Sequence, residues 1–132
     1  MPIAIDANVA ISWFTATPAA LAQRALNEVA EHGAVVPALW RWEVQDVLLR
    51  LQRAGRLTRP ADVAFVELRE LPIVVDDEMR TLFGNEAALA ITYGLSGYNS
   101  AYLEVAMRRG IALATLDKDL VRAAKRVGVA FA

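Results

Sequence analysis

Four oxygen-bearing side chains stand at the ends of short apolar runs, or in the segments just after them, at widely separated points of the chain. Three are the carboxylates Asp6, Glu43 and Asp117, and the fourth is the amide Asn99. Where parallel strands lie side by side, residues that follow their carboxyl ends meet at one edge of the sheet. Hard oxygen ligands of this kind suit Mg²⁺ or Mn²⁺, so the pattern predicts a site for a divalent metal ion.

Each of these residues also has an ordinary structural interpretation. Asp6 and Asp117 stand directly before predicted helices, where an aspartate caps the first backbone N–H groups. Asn99 is in the first turn of its predicted helix and could cap that helix or face solvent. Glu43 is the stronger candidate, because an acid that soon follows the carboxyl end of a strand lies where the crevice of an open α/β sheet is expected.

Two hydrophobic periodicities alternate along the chain and predict the elements that position these side chains. Short apolar runs predict strands at 2–6, 34–37, 71–75 and 111–115, with a short fifth strand at 129–131. Helical spacing predicts helices at 7–13, 18–31, 39–53, 60–70, 78–93, 96–109 and 117–127. Strands separated by helices imply right-handed crossovers and a parallel sheet that is covered on both faces. We therefore expect an α/β fold, a three-layer α/β/α sandwich with a parallel sheet of four to five strands.

Length and composition limit the classes of function. A chain of 132 residues fits one domain, so we expect a single domain over residues 1–132. Cysteine is absent, which excludes disulfides, thiolate nucleophiles and thiolate metal sites, and His32 is the single histidine. No apolar run reaches about 18 residues and no basic-then-apolar leader begins the chain. We expect a cytoplasmic protein with no membrane partner.

The net charge of −1 offers no overall attraction to phosphate groups, although an enzyme that holds its substrate through a metal ion needs only local basic groups. The basic residues do form groups, and each group is also typical of a solvated helix face. They are Arg50, Arg53, Arg56 and Arg59, then Arg108 and Arg109, then Lys118, Arg122, Lys125 and Arg126. The hydrophobic fraction of 56% leaves apolar surface for a subunit interface.

Four short segments carry a joint signature. They are Ile5-Asp6-Ala7-Asn8, the segment 37–44 ending in Glu43-Val44, the segment 94–103 around Asn99, and Ala114-Thr115-Leu116-Asp117. Together they resemble the PIN-domain ribonucleases, in particular the VapC-type toxins of type II toxin–antitoxin systems, over essentially the whole chain. The resemblance implies a PIN-like fold and Mg²⁺- or Mn²⁺-dependent hydrolysis of RNA phosphodiester bonds. It also implies a homodimer and a cognate VapB-type antitoxin, a small DNA-binding protein whose tail lies in the acidic crevice.

Carried over by position, Asp6, Glu43 and Asp117 look like three of the metal-site acids of that family, and Asn99 stands where the family has an aspartate. The resemblance further suggests that Ser96 and Thr115 are hydroxyls that orient the acids, with helix capping as the equal alternative. Asn8 could hold Asp6 in place by a hydrogen bond. These residues, with Asn99 in the catalytic and metal set, form the predicted site.

Two departures from the family pattern lie close together in the predicted site. Asn99 lacks the carboxylate, and the helix of Glu43 reads Glu43-Val44-Gln45-Asp46 where such toxins usually have Glu-x-x-Asn. One hypothesis is that Asp46 compensates for the missing charge. The other is that Asn99 is an inactivating replacement, natural or introduced, so that the chain has weak activity or none.

Two other classes of function compete with the toxin ribonuclease. A catalytically silent PIN-like module that binds RNA or a protein partner is favoured by Asn99 alone, and the absence of Mn²⁺-dependent stabilisation would distinguish it. A phosphatase of the haloacid-dehalogenase type also begins with an Asp at the end of its first strand. That class needs Asp-x-Asp, and this chain has Asp6-Ala7-Asn8.

Overall fold

The computed structural model describes residues 1–78 and 81–132, and a parallel sheet lies at the centre of the described chain. Its four strands are β1 Ile3–Ile5, β2 Ala34–Pro37, β3 Ile73–Asp76 and β4 Leu113–Ala114. They lie in the order β3-β2-β1-β4, and Ala4 is paired with Val35 on one side and Leu113 on the other. The chain therefore adds β2 and β3 on one side of β1 and β4 on the other, which places the reversal of strand order between β1 and β4.

Helices cover both faces of this sheet. Those in the described residues are α1 Ala7–Ser12, α2 Ala20–His32, α3 Leu39–Arg53, α4 Ala61–Glu70, α5 Asn85–Tyr93, α6 Gly97–Arg109 and α7 Lys118–Val127. Helix α6 packs against β1, β2 and β4, while α2 packs against β1 and β4. The three-layer α/β/α sandwich expected from the sequence is confirmed. Within residues 1–78 and 81–132, no helix has both the length and the apolar character needed to cross a membrane.

Burial explains why the strands are continuous apolar runs. Every residue of β1, β2 and β4 is buried, as expected for parallel strands covered on both faces. Strand β3 lies at the edge of the sheet and is less covered, with Val74 exposed. Tyr102 of α6 is among the largest fully buried side chains, so this helix anchors the core beneath the centre of the sheet.

Two predicted elements differ from the structure. The predicted fifth strand is reduced to one isolated bridge between Ala130 and Leu113, so the sheet of the described residues has four strands. The predicted helix 78–93 begins only at Asn85, and residues 79 and 80 lie outside the described residues. Phe83 has a positive φ of 55°, which an α-helix does not allow, and Gly84 then precedes the first helical residue.

An ion-pair cluster ties the edge strand β3 to the last turns of α6. The side chain of Asp76 is 0% exposed, and its Oδ2 accepts hydrogen bonds from Arg108 at 2.8 Å and Arg109 at 2.7 Å. Arg108 also donates to Glu104 and Glu78. Burial opposes the ionisation of Asp76, but the two arginine hydrogen bonds outweigh it and hold the pKa of Asp76 below its usual value. This carboxylate is therefore ionised and committed to packing.

We predict that Asp76→Asn lowers the free energy of unfolding at pH 7 by about 1–3 kcal/mol, because it removes charge-assisted hydrogen bonds from a fully buried side chain. Urea unfolding measures the loss. Since the pKa of Asp76 is lowered by folding, its contribution is present above the unfolded-state pKa of 3.8 and disappears as the pH falls below it. Asp46→Asn, which breaks only an exposed pair with Arg50, is the control, with an expected change of about 0.5 kcal/mol or less. Equal losses in the two variants would contradict the structural role of Asp76.

Candidate active site

Asp6 lies directly after β1 and has two roles at once. Its Oδ1 accepts the backbone N–H of Val9 at 3.0 Å and so caps α1, while its Oδ2 accepts the hydroxyl of Thr115 at 2.5 Å. The residue is only 3% exposed. The helix-cap and the site interpretation of Asp6 are therefore compatible, because each uses a different carboxylate oxygen.

Asp117 repeats this arrangement on the neighbouring strand. Its Oδ1 caps α7 by accepting the N–H of Leu120 at 3.0 Å, and its own N–H donates to Oγ1 of Thr115 at 3.0 Å. The single hydroxyl of Thr115 thus links Asp6 to Asp117, donating to the first and accepting from the second. These contacts are those that an orienting role for Thr115 needs, and that role stays a prediction.

Glu43 enters the site from the second turn of α3 and is held there by α6. Its Oε1 accepts the phenolic hydroxyl of Tyr102 at 2.5 Å. Burial, the hydrogen bond to Glu43 and the charges of Glu43 and Asp6 all raise the pKa of Tyr102 far above its usual range. The phenol therefore stays protonated and acts as a fixed donor to the Glu43 carboxylate. Tyr102 is not among the site residues predicted from the sequence.

The three carboxylates are close enough to influence one another electrostatically. Burial raises the pKa of Asp6 to about 6 against the hydrogen bonds from Thr115 and Val9, and the negative charges of Asp117 and Glu43 add to the rise. The predicted convergence of Asp6, Glu43 and Asp117 at one edge of the sheet is thus present in the geometry. Whether they ligate a metal ion remains a prediction.

The donor set fits a hard divalent cation in type and charge, since it consists of carboxylate oxygens whose mutual repulsion such a cation would relieve. The hydrogen bonds described above leave Oε2 of Glu43 and Oδ2 of Asp117 for further ligands. Within the described residues, no three acidic or histidine side chains are grouped tightly enough to hold an ion as they stand. Binding would therefore require the side chains to move closer together.

The amide side of the predicted site is built on the first turn of α6. Ser96 caps this helix, and its Oγ accepts the backbone N–H of Asn99 at 3.0 Å, so Ser96 has the capping role of its two predicted alternatives. Asn99 is half-buried and stands one helical turn before Tyr102, on the same face of α6. Asn99 therefore shares the face of α6 that contacts Glu43.

Asn8 and Asp46 lie outside this group. Asn8 is exposed, and it is the N–H of Val9 that donates to Asp6. The side chain of Asp46 is 69% exposed and forms an ion pair with Arg50 at 3.3 Å, as an ordinary i,i+4 surface pair does. The charges that act on Asp6 are those of Asp117 and Glu43. This arrangement gives no support to compensation for Asn99 by Asp46.

Two further features were not predicted from the sequence. Asp76 also ends a strand at this edge of the sheet, yet Arg108 and Arg109 neutralise it and keep it out of the acidic group. Trp42 and Tyr98, the sequence neighbours of Glu43 and Asn99, are 59% and 67% exposed. The guanidinium of Arg41 lies 5.0 Å from the centroid of the Trp42 ring. The helical periodicity of α3 could have indicated the exposure of Trp42. Trp40 lies in the buried stripe, and residues two apart on a helix point to different faces.

The fold is that of a known class of domains. The chain superimposes on the crystal structure of PAE2754 from Pyrobaculum aerophilum with a TM-score of 0.73 and 19% sequence identity, over 99% of this chain and 88% of that one. At this identity the likeness concerns the fold. A comparison with curated proteins gave no match. The PIN domain family model matches residues 3–126, and the chain belongs to the PIN domain family, whose members are typically nucleases.

We predict a specific pH dependence of stability in metal-free buffer. Because folding raises the pKa of Asp6 from 3.8 to about 6, the folded protein binds a proton that the unfolded chain has already released between these values. The Asp6 contribution to stability therefore falls as the pH rises through this window, by up to about 3 kcal/mol. In Asp6→Asn the decrease in the free energy of unfolding from pH 4 to pH 8 should be smaller than in the wild type by about 2–3 kcal/mol.

Urea unfolding in the presence of a chelator at several pH values measures this difference. Asp46→Asn is the matched control, because it removes an exposed carboxylate and should follow the wild-type curve. If Asp6→Asn and the wild type lost the same stability between pH 4 and pH 8, the raised pKa of Asp6 would be wrong.

Proposed function

We propose that this PIN-domain protein is a metal-dependent ribonuclease that hydrolyses RNA phosphodiester bonds. The observation that carries the proposal is the proximity of two further carboxylates, Asp117 and Glu43, to the buried Asp6. Burial raises the pKa of Asp6 to about 6, and the negative charges of Asp117 and Glu43 add to the rise. A helix cap does not need other carboxylates near it, whereas a cation site does. The family supports the same conclusion, since PIN-domain nucleases usually use divalent metals.

In the proposed site, Asp6, Glu43 and Asp117 hold Mg²⁺ or Mn²⁺, with the amide oxygen of Asn99 as a fourth, uncharged ligand. When bound, such an ion supplies positive charge to the phosphate group and acidifies a water molecule. In this proposal, Thr115 and Tyr102 hold the acids in position. Thr115 orients Asp6 through its hydroxyl, and Tyr102 fixes one oxygen of Glu43, which leaves the other oxygen of Glu43 for the ion.

Asn99 sets the expected level of activity. An amide at this position brings no charge and no base, so the cation is held by three carboxylates where the related toxins have four. Asp46 is paired with Arg50 at the surface and is not available as it stands to restore the fourth charge. We therefore propose that the chain is a weakened or inactive form of the nuclease.

The biological role that we propose is that of a VapC-type toxin of a type II toxin–antitoxin system, acting on RNA in the cytoplasm as a homodimer. The support is the set of segments around Asp6, Glu43, Asn99 and Asp117 that resembles those toxins. A cognate VapB-type antitoxin would place its tail over the acidic group, where a basic side chain meets uncompensated carboxylates. The alternative is a catalytically silent RNA- or protein-binding module, favoured by Asn99 and by the loose spacing of the acids.

We predict that Asn99→Asp creates or strongly increases Mn²⁺-dependent cleavage of single-stranded RNA, because it restores a fourth carboxylate. A gain of at least about tenfold is expected, equivalent to about 1.4 kcal/mol in the barrier. The assay compares both proteins over a range of Mg²⁺ and Mn²⁺ concentrations. Thermal unfolding in the same series should show a larger metal-dependent rise in melting temperature for Asn99→Asp.

The matched control adds Asp117→Asn to Asn99→Asp, which returns the number of carboxylates to three and should abolish the gain in cleavage. Asp46→Asn tests the compensation hypothesis, and we expect it to leave both activity and metal-dependent stabilisation unchanged. If Asn99→Asp showed neither cleavage nor stabilisation by Mn²⁺, the ribonuclease proposal would be wrong and the silent module would be favoured.

We predict that Tyr102→Phe, introduced in the Asn99→Asp protein, weakens metal binding because it frees the Glu43 carboxylate to rotate. The Mn²⁺ concentration for half-maximal stabilisation should rise by about tenfold or more, as is typical when a partner of a metal ligand is lost. Tyr98→Phe is the control, since Tyr98 is 67% exposed on the same helix. Equal metal affinity in the two variants would show that Tyr102 does not position Glu43.

A further inference from the structure

Helix α7 has two chemically distinct faces. Leu120, Ala123 and Ala124 are buried against the domain. On the other side, Lys118, Arg122 and Lys125 are exposed at positions i, i+4 and i+7, so they form a single stripe along the helix. We call these three residues the α7 basic stripe. It extends about 10 Å along the helix axis, at 1.5 Å per residue.

The stripe lines one wall of a groove that also contains Thr115. A groove of about 410 Å³ is lined by Thr115, Leu116, Val121 and the three residues of the stripe. A second groove of about 450 Å³ shares Thr115, Val121 and Lys125 with the first and adds Arg24 from α2. Among the described residues that line the two grooves there are four cations and no acid.

Thr115 gives the groove its connection to the acids. The same residue that lines both grooves donates its hydroxyl to Asp6 and accepts the N–H of Asp117. The groove and the two aspartates are therefore adjacent to each other through this residue. The protein as a whole has a net charge of −1, so this local cationic surface is not a consequence of an overall basic composition.

We propose that the α7 basic stripe, together with Arg24, binds the backbone phosphates of single-stranded RNA next to the bond that is cleaved. This inference rests on the proposed function and gives the substrate a direction across the domain, from the acidic group along α7. Lysine and arginine side chains at successive helical turns can bind backbone phosphates, and such contacts do not depend on base identity. Arg122 forms an exposed ion pair with Asp119 at 3.3 Å, and a phosphate can replace this pair at little cost.

An acidic segment of a protein partner is the competing occupant. RNA is favoured because Thr115 connects the groove to the proposed metal site, where a phosphodiester would react.

The test measures binding without metal, so that it does not depend on cleavage. A variant with Lys118→Gln, Arg122→Gln and Lys125→Gln together is titrated against a fluorescent single-stranded RNA of about 12 nucleotides in a chelator, at several salt concentrations. The slope of log K against log [salt] should decrease in magnitude by about 2, since each lost phosphate contact contributes about 0.7 on a single strand. Affinity at low salt should fall at least about tenfold.

The matched control is Arg50→Gln, Arg53→Gln and Arg56→Gln together, which removes the same charge from exposed residues at the far end of α3 and just after it. This variant should keep the wild-type slope and bind within about twofold of the wild type. Circular dichroism melting of both triple variants verifies that they are folded. In the Asn99→Asp background, the α7 variant should raise KM and leave kcat within about twofold.

If both triple variants weakened RNA binding equally, the effect would come from net charge alone and the proposal would be overturned. An unchanged slope of log K against log [salt] in the α7 variant would also overturn it. If the α7 variant lost binding to poly-glutamate as strongly as binding to RNA, an acidic protein partner would replace RNA as the occupant. The outcomes also separate this inference from the proposed function. If the α7 variant lost RNA binding and Asn99→Asp showed no cleavage, the stripe would be supported and the nuclease proposal rejected. If Asn99→Asp cleaved RNA and the α7 variant changed neither KM nor the salt slope, the nuclease would be supported and the stripe rejected.

Discussion

The hydroxyl of Thr115 is the interaction on which the acidic group depends. It joins Asp6, at the end of β1, to the backbone of Asp117, after β4, at the one place in the sheet where the strand order reverses. Each aspartate also caps a helix through its Oδ1, so the position of the acids is coupled to the start of α1 and of α7. A shift of β4 by one residue along β1 would break all of these contacts together.

The same architecture imposes an electrostatic constraint. Burial keeps Asp6 out of water, Tyr102 holds Glu43 by a hydrogen bond, and the negative charges of Glu43 and Asp117 act on Asp6. At the end of β3, on the other side of β2, Asp76 has two arginine partners and a lowered pKa. Asp76 therefore stabilises the fold, whereas Asp6 at the end of β1 belongs to the proposed metal site, although both residues end apolar runs in the sequence.

Much of the fold and of the acidic group could be predicted, because buried parallel strands are recognisable as short apolar runs. Asp6 and Asp117 follow directly after such runs. The link through Thr115 could not, since it depends on the register of β1 against β4, which no local pattern specifies. Asp46 was considered as a site residue because it stands one turn after Glu43. The spacing alone does not fix the direction of its side chain, which pairs with Arg50 at the surface. The start of α5 was misplaced because the backbone conformation of Phe83 has no signature in composition.

The 109-residue separation between Asp6 and Thr115 has a consequence for the order of folding. Contacts between residues so distant in sequence form late, because the entropy of closing the intervening loop must be overcome first. During synthesis from the first residue onward, β1 and β2 can pair while β4 does not yet exist. Asp6 then has no hydroxyl to orient it, and the acidic group cannot assemble. A nuclease with this topology would be harmless as a growing chain and would acquire its site only in the last step of folding.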